Sequence, residues 1–168
     1  IFIVGLVAAF TLRETRPPLE MDLSTQPMLG NYNANVEIIL FEDLMCDECQ
    51  YFFNDVFPKL NEQYIKTGIV SFKLIPIVFL PQSKKVTSTA LCLYEQNHIL
   101  FWQFLHLWFK SKPTFYIDST LSELVKSMPH VNKATYNTCL ENTNFDPIFE
   151  KNIHFAEKMV IPDVEVPA

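Results

Sequence analysis

The chain has 168 residues and a formal net charge of −6. This length is typical of one domain that carries an insertion. Its hydrophobic content of 49% supplies enough apolar material for a core, which excludes disorder as the default. The acidic balance and the lack of any Lys/Arg cluster argue against nucleic acid as a partner.

The first residues predict export. Residues 1–10, IFIVGLVAAF, are apolar and uncharged but too short to span a bilayer. We expect residues 1–12 to be the remnant of a secretion signal or of a membrane anchor, and an N-terminal core strand is the alternative. Export predicts a periplasmic or otherwise extracytoplasmic location, in which disulfides persist.

A linker and lead-in loop are predicted for residues 13–35, followed by a β-α-β unit over residues 36–81. The apolar runs 36–41 and 69–79 predict its two strands. Between them, apolar residues at helical spacing predict a helix over residues 46–65 with a kink at Pro58, which lacks a backbone donor.

A helical insertion is predicted for residues 82–158, and residues 159–168 are expected to return to the first unit. Because two strands alone make a poor sheet, we expect the rest of the sheet to lie beyond Ala168. The predicted helical segments are residues 87–96, 98–110, 117–128, 132–142 and 147–159.

Cys46 and Cys49 lie at the predicted strand-to-helix junction. A helix N-terminus favours an anion, and a thiolate is the form of cysteine that attacks disulfides. Cys49 is one helical turn further on and can close a disulfide with Cys46. A zinc site would need further ligands at suitable spacing, and a purely structural disulfide across so short a loop would stabilise little. The spacing therefore favours a redox-active pair and predicts no metal.

Three stretches resemble one family, the exported bacterial DsbA-like thiol-disulfide oxidoreductases of the thioredoxin fold. Residues 27–60 carry the glycine, strand, Asp43 and CxxC order; residues 90–109 are similar to the family's helical insertion; residues 164–168, VEVPA, are similar to its Val–cis-Pro loop. The resemblance implies an α/β thioredoxin-like fold with a helical insertion, here interrupted after the cis-Pro loop.

Residue roles follow from the same resemblance. It implies that Cys46 is the nucleophile, that Cys49 is the resolving thiol, and that Val166 and Pro167 hold the substrate chain. An X-Pro bond is the usual place for a cis peptide. The implied partners are cysteine-containing protein substrates and a membrane redox protein, and no cofactor is needed.

Cys92 and Cys139 fall on separate helices of the predicted insertion. Some DsbA-like proteins join these helices by a second disulfide, and export would favour such a bridge. Two free thiols in the core are the alternative, since unpaired cysteine is among the most buried residue types.

The chain departs from the family in the acid that serves the buried thiol. That acid stands six residues before the first cysteine, where this chain has Leu40. We expect Glu42 to point to another face of the strand, which leaves Asp43 as the nearer substitute. Capping of the helix start is the alternative role of Asp43.

A second departure is the acidic dipeptide Asp47-Glu48 inside the cysteine motif. Both acids suit a helix N-terminus, but a carboxylate also disfavours a neighbouring thiolate. With Asp43, these residues are the candidates for tuning the cysteine pair. We therefore expect a weak oxidant, a reductase or an isomerase; the alternative is a thioredoxin-like binding or chaperone module whose cysteine pair is only structural.

Overall fold

A computed structural model of the protein describes residues 23–80, 82–111 and 117–159. Its described part contains a three-stranded sheet of order β1-β3-β2, in which β2 and β3 are parallel and β1 is antiparallel to β3. The first strand lies inside the predicted lead-in loop, and the other two match the predicted apolar runs. The strands are β1 (Met28–Gly30), β2 (Val36–Asp43) and β3 (Val70–Ile77).

Glycine is required where β1 ends. Gly30 has a φ of +91°, a conformation that L side chains rarely adopt. A Cβ atom at this position would lie 2.6 Å from the carbonyl oxygen of Val70, which is far too close. The short first strand can therefore approach β3 only with glycine at this end.

A continuous helical segment, here called the cysteine helix (residues 47–65), connects β2 to β3. Pro58 has no N–H and cannot complete an ordinary helical turn. The turn before it is π-helical, and the N–H of Phe57 donates to the carbonyl of Phe52, five residues back. The sequence predicted a kink here, and the structure places a widened turn directly before the proline. The segments are α1 (Asp47–Tyr51), a π-helical turn (Phe52–Val56), α2 (Phe57–Leu60) and a second π-helical turn (Asn61–Ile65).

Five further helices confirm the predicted helical insertion. The last of them returns to the sheet, where the amide of Asn152 donates to the carbonyl of Pro76 at 2.8 Å. None of the helices in the described ranges is long and apolar enough to cross a bilayer. The helices are α3 (Ser83–Gln96), α4 (His98–Ser111), α5 (Ile117–Ser127), α6 (Lys133–Asn142) and α7 (Asp146–Met159).

Helix α4 joins the insertion to the cysteine helix. The rings of Phe53 and Phe109 stack with their centroids 4.6 Å apart. The side-chain amides of Gln50 and Asn54 both donate to the carbonyl of Phe109, at 2.9 and 3.0 Å. Trp108 is fully buried beside this contact. One continuous core therefore spans the sheet unit and the helical unit.

A disulfide joins Cys92 on α3 to Cys139 on α6, with 5.8 Å between their Cα atoms. Cys92 is fully buried and Cys139 nearly so. The bridge closes a sequence separation of 47 residues. A loop of that length loses substantial entropy in the unfolded chain, so the bridge stabilises the helical unit.

We expect replacement of both Cys92 and Cys139 by alanine to lower the free energy of unfolding by about 4 kcal/mol, the chain-entropy value for a loop of this length. Urea unfolding of the oxidised protein measures the change. The matched control replaces the free pair, Cys46 and Cys49, by alanine and should cost much less. Equal losses in the two double variants would contradict the role given to the bridge.

Candidate active site

Hydrogen bonds hold the loop between β2 and the cysteine helix at three points. The N–H of Cys46 donates to the carbonyl of Asp43 at 3.0 Å. The N–H of Met45 donates to the Asp43 side chain at 2.8 Å. On the other side, the indole N–H of Trp108 donates to the carbonyl of Leu44 at 2.8 Å. The backbone that presents Cys46 is thus held by the strand and by helix α4 together.

Cys46 and Cys49 are both free and partly exposed. Cys46 is the N-cap residue of α1 and has extended backbone angles. Its thiol donates to Oε2 of Glu48 at 3.3 Å. Asp47 and Glu48 form the acidic first turn and are exposed. The predicted pair and its acidic dipeptide therefore share one surface, with the first thiol in contact with one of the acids.

The second thiol lies against a buried carboxylate. Glu42, near the end of β2, is only 2% exposed. Burial raises the pKa of the Cys49 thiol well above its ordinary value, and the charge and hydrogen bond of Glu42 raise it further. A hydrogen bond with Cys46 and the charge of that residue act in the same direction. Cys49 is therefore held as a protonated thiol.

The expectation that Glu42 points away from the cysteines was wrong. Side chains alternate along a strand, so Glu42 shares a face with Leu40 and Ile38. Leu40 and Ile38 pack against the main core cluster, to which Cys49 also packs. The acid stands two residues after the position of the family's acid but on the same face. The period of the strand could have identified it from sequence.

Asp43 points to the opposite face and accepts hydrogen bonds there. Besides the Met45 N–H, its carboxylate accepts from the N–H of Phe79 at 2.7 Å and from that of Leu80 at 3.2 Å. The hydroxyl of Ser83, at the start of α3, donates to it as well. Asp43 therefore caps a turn and anchors a distant loop, whereas Glu42 is the acid beside a thiol.

A cleft of about 660 Å³ opens beside the cysteine pair. Met45 and Cys46, before the cysteine helix, and Phe79 and Leu80, after β3, are among the residues that line it. The side chains of Phe79 and Leu80 are 61% and 43% exposed, so the cleft has two adjacent exposed apolar groups on its lining. Both cysteines line this cleft.

The other predicted site residues lie elsewhere. Val166 and Pro167 fall outside the described residues. Cys92 and Cys139 form the disulfide of the helical unit. Within the described ranges, no group of three or more His, Cys, Asp or Glu residues could hold a metal ion.

The fold agrees with that of known proteins. A family profile described as "Thioredoxin" matches residues 22–167. Disulfide bond formation protein D of Bacillus subtilis (strain 168) is 27% identical over 141 residues, covering 81% of this chain and 64% of that protein. The crystal structure of oxidised BdbD from B. subtilis superposes with a TM-score of 0.71 at 26% identity, over 83% of this chain and 78% of that one.

Chlamydia trachomatis DsbA has a similar fold, with a TM-score of 0.76 at 22% identity over 92% of this chain and 84% of that one. The chain belongs to the thioredoxin family that the profile describes, and its resemblance to DsbA-like members is confirmed. The predicted α/β thioredoxin-like fold with a helical insertion is confirmed as well. The chain spans 64% of the length of the B. subtilis protein.

We expect Glu42→Gln to lower the pKa of Cys49, because it removes a negative charge from a buried thiol. The pKa should stay above its ordinary value, since burial is the larger cause. Thiolate absorbance against pH in a Cys46→Ser background measures this group alone. Glu37→Gln is the matched control, because Glu37 lies on the same strand but is exposed and pairs with Lys73 at 2.7 Å. An unchanged titration in Glu42→Gln would show that the two groups do not interact.

Proposed function

We propose that this chain is a thiol-disulfide oxidoreductase that exchanges disulfides with cysteine-containing polypeptides. The observation that carries the proposal is the arrangement of the cysteine pair. A partly exposed Cys46 stands at a helix N-terminus on an open cleft, and a protonated Cys49 lies one turn behind it. Membership of the thioredoxin family and the name of the B. subtilis relative support this chemistry.

Reduction of a substrate proceeds in two exchanges. The Cys46 thiolate attacks one sulfur of the substrate disulfide; a mixed disulfide forms, and the other substrate sulfur leaves as a thiolate. Cys49 then loses its proton and attacks the Cys46 sulfur, which releases the second substrate thiolate. Both leaving thiolates take up protons. The substrate gains two electrons, and the Cys46–Cys49 pair becomes a disulfide. Oxidation of a dithiol substrate is the reverse sequence.

Glu42 is the proton acceptor in the second exchange. Cys49 must lose its proton to attack, although its environment favours the protonated form. The buried Glu42 carboxylate is hydrogen-bonded to this thiol and so provides a proton acceptor in direct contact with it. In the reverse direction it returns the proton to the departing Cys49.

The acidic surroundings support a weakly oxidising, reducing or isomerising role. A strong oxidant depends on stabilisation of its reduced form. Here Glu48 accepts a hydrogen bond from the Cys46 thiol, and burial and the charge of Glu42 raise the pKa of the Cys49 thiol. A disulfide donor is the second candidate, favoured by the name of the B. subtilis relative.

An extracytoplasmic location is part of the proposal. The Cys92–Cys139 bridge supports it, because structural disulfides persist in oxidising compartments. The apolar residues 1–10 support it independently through their likeness to a signal or an anchor. Turnover also needs a partner that resets the cysteine pair, and we propose a membrane redox protein for that role.

We expect Cys46→Ser to abolish reduction of insulin by the protein with dithiothreitol as electron donor. Cys49→Ser should instead accumulate a mixed disulfide, because the resolving thiol is missing. Precipitation of the insulin chains and non-reducing electrophoresis measure the two effects. A binding or chaperone module would not need the thiol, so full activity of Cys46→Ser would favour that alternative.

Neutralising the acidic dipeptide tests whether these two acids affect the reduction potential, and the potential of the parent protein indicates the direction of electron flow. We expect the double variant Asp47→Asn/Glu48→Gln to be more oxidising than the parent by about 30 mV or more, which is about 1.4 kcal/mol for a two-electron couple. Equilibration with glutathione measures both potentials. A parent value near about −270 mV supports a reducing or isomerising role, and one near about −120 mV supports the disulfide donor. An unchanged potential in the variant would remove the two acids from the explanation.

A further inference from the structure

The two oxygens of the Asp43 carboxylate bond two separate segments that both line the cleft. Oδ1 accepts from the N–H of Met45, which adjoins Cys46 on the thiol rim (residues 45–46). Oδ2 accepts from the N–H groups of Phe79 and Leu80, which form the far rim (residues 79–80). Asp43 is itself only 5% exposed. A single buried side chain thus connects the two rims.

The far rim is held mainly through its backbone. The side chains of Phe79 and Leu80 extend into solvent, as their exposure shows. Residues 78–80 follow the end of β3 and precede α3 without belonging to either element. A loop with exposed side chains keeps a defined position only if its backbone groups are bonded, and Asp43 is the acceptor for both N–H groups.

We propose that Asp43 is a positioning residue that sets the distance between the thiol rim and the far rim, and thereby the binding of polypeptide disulfides. The proposal rests on the proposed function of the cysteine pair. A polypeptide that occupies the cleft to reach Cys46 meets both rims, including the apolar side chains of Phe79 and Leu80. A small disulfide such as oxidised glutathione needs access to Cys46 alone.

Asp43→Asn separates these two requirements. The amide of asparagine has only one acceptor oxygen. In either orientation its NH₂ group therefore faces a backbone N–H of one rim, and that rim loses its hydrogen bond to residue 43. We expect kcat/KM for insulin to fall about tenfold more than the rate constant for oxidised glutathione, as small displacements in positioning have large kinetic effects. Rapid mixing of the reduced protein with each disulfide measures both rates.

Asn152→Ala is the matched control. Asn152 is another fully buried polar residue, with side-chain hydrogen bonds to Gln26 and to the carbonyl of Pro76, and it does not line the cleft. Its loss should lower stability and leave the ratio of the two rates unchanged. A ratio in Asp43→Asn within about twofold of the parent, well below the expected change, would overturn the assignment of Asp43 while leaving the proposed function intact. If the parent reacted with neither disulfide, the proposed function itself would fail, and the assignment with it.

Hydrogen exchange of the unsubstituted protein tests the contact without any variant. The amides of Phe79 and Leu80 should exchange slowly, although their side chains are exposed, because both are bonded to a buried carboxylate. Amides of Asn31 and Tyr32, in an exposed turn, give the rate expected without such an acceptor. Exchange of the Phe79 and Leu80 amides at that rate would contradict a far rim held by Asp43.

Discussion

Two adjacent carboxylates buried at the end of β2 organise the whole site. Because side chains alternate along a strand, Glu42 and Asp43 point to opposite faces of the sheet. Burying a carboxylate costs several kcal/mol unless hydrogen bonds compensate. The burial of the Asp43 carboxylate is compensated by backbone N–H groups of two loops and by the hydroxyl of Ser83. Glu42 lies against the Cys49 thiol. In the mechanism that we propose, the alternation places one acid beside the resolving thiol for proton transfer and the other where it bonds the backbone around the cleft.

The helical insertion is a structural part of the site. Trp108 bonds the carbonyl of Leu44, two residues before the first cysteine, and Ser83 bonds Asp43. The carbonyl of Phe109 accepts from Gln50 and Asn54 on the cysteine helix. Each contact joins the insertion either to the β2–helix junction or to the first turns of the cysteine helix. The loop that carries Cys46 is therefore positioned by two units packed on one core. A change inside the insertion can alter the geometry at Cys46.

Local patterns in the sequence predicted most elements and the reactive pair. The helices of the insertion and strands β2 and β3 follow from apolar spacing, and the CxxC motif marks the thiols. The short strand β1 was missed, because a strand of three residues that ends in Gly30 carries too little periodicity. The partners of Asp43 in the loop before α3 and at the start of α3 lie 36–40 residues away, and Trp108 lies 64 residues from Leu44. Such contacts depend on tertiary packing and leave no local signal.

The charged residues that line the cleft beside the cysteine pair, in the part of the chain that the structure describes, are all acidic. Asp43, Asp47 and Glu48 lie on its surface, and no Lys or Arg accompanies them. The charge of Asp43 is directed into backbone donors on the far rim, so it acts on the cleft mainly through geometry. Glu48 instead accepts a hydrogen bond from the Cys46 thiol, and the buried Glu42 lies against the Cys49 thiol. Burial and the charge of Glu42 therefore disfavour a thiolate at Cys49. For the oxidoreductase that we propose, a reduced pair with so little stabilisation from its surroundings favours a reducing or isomerising role.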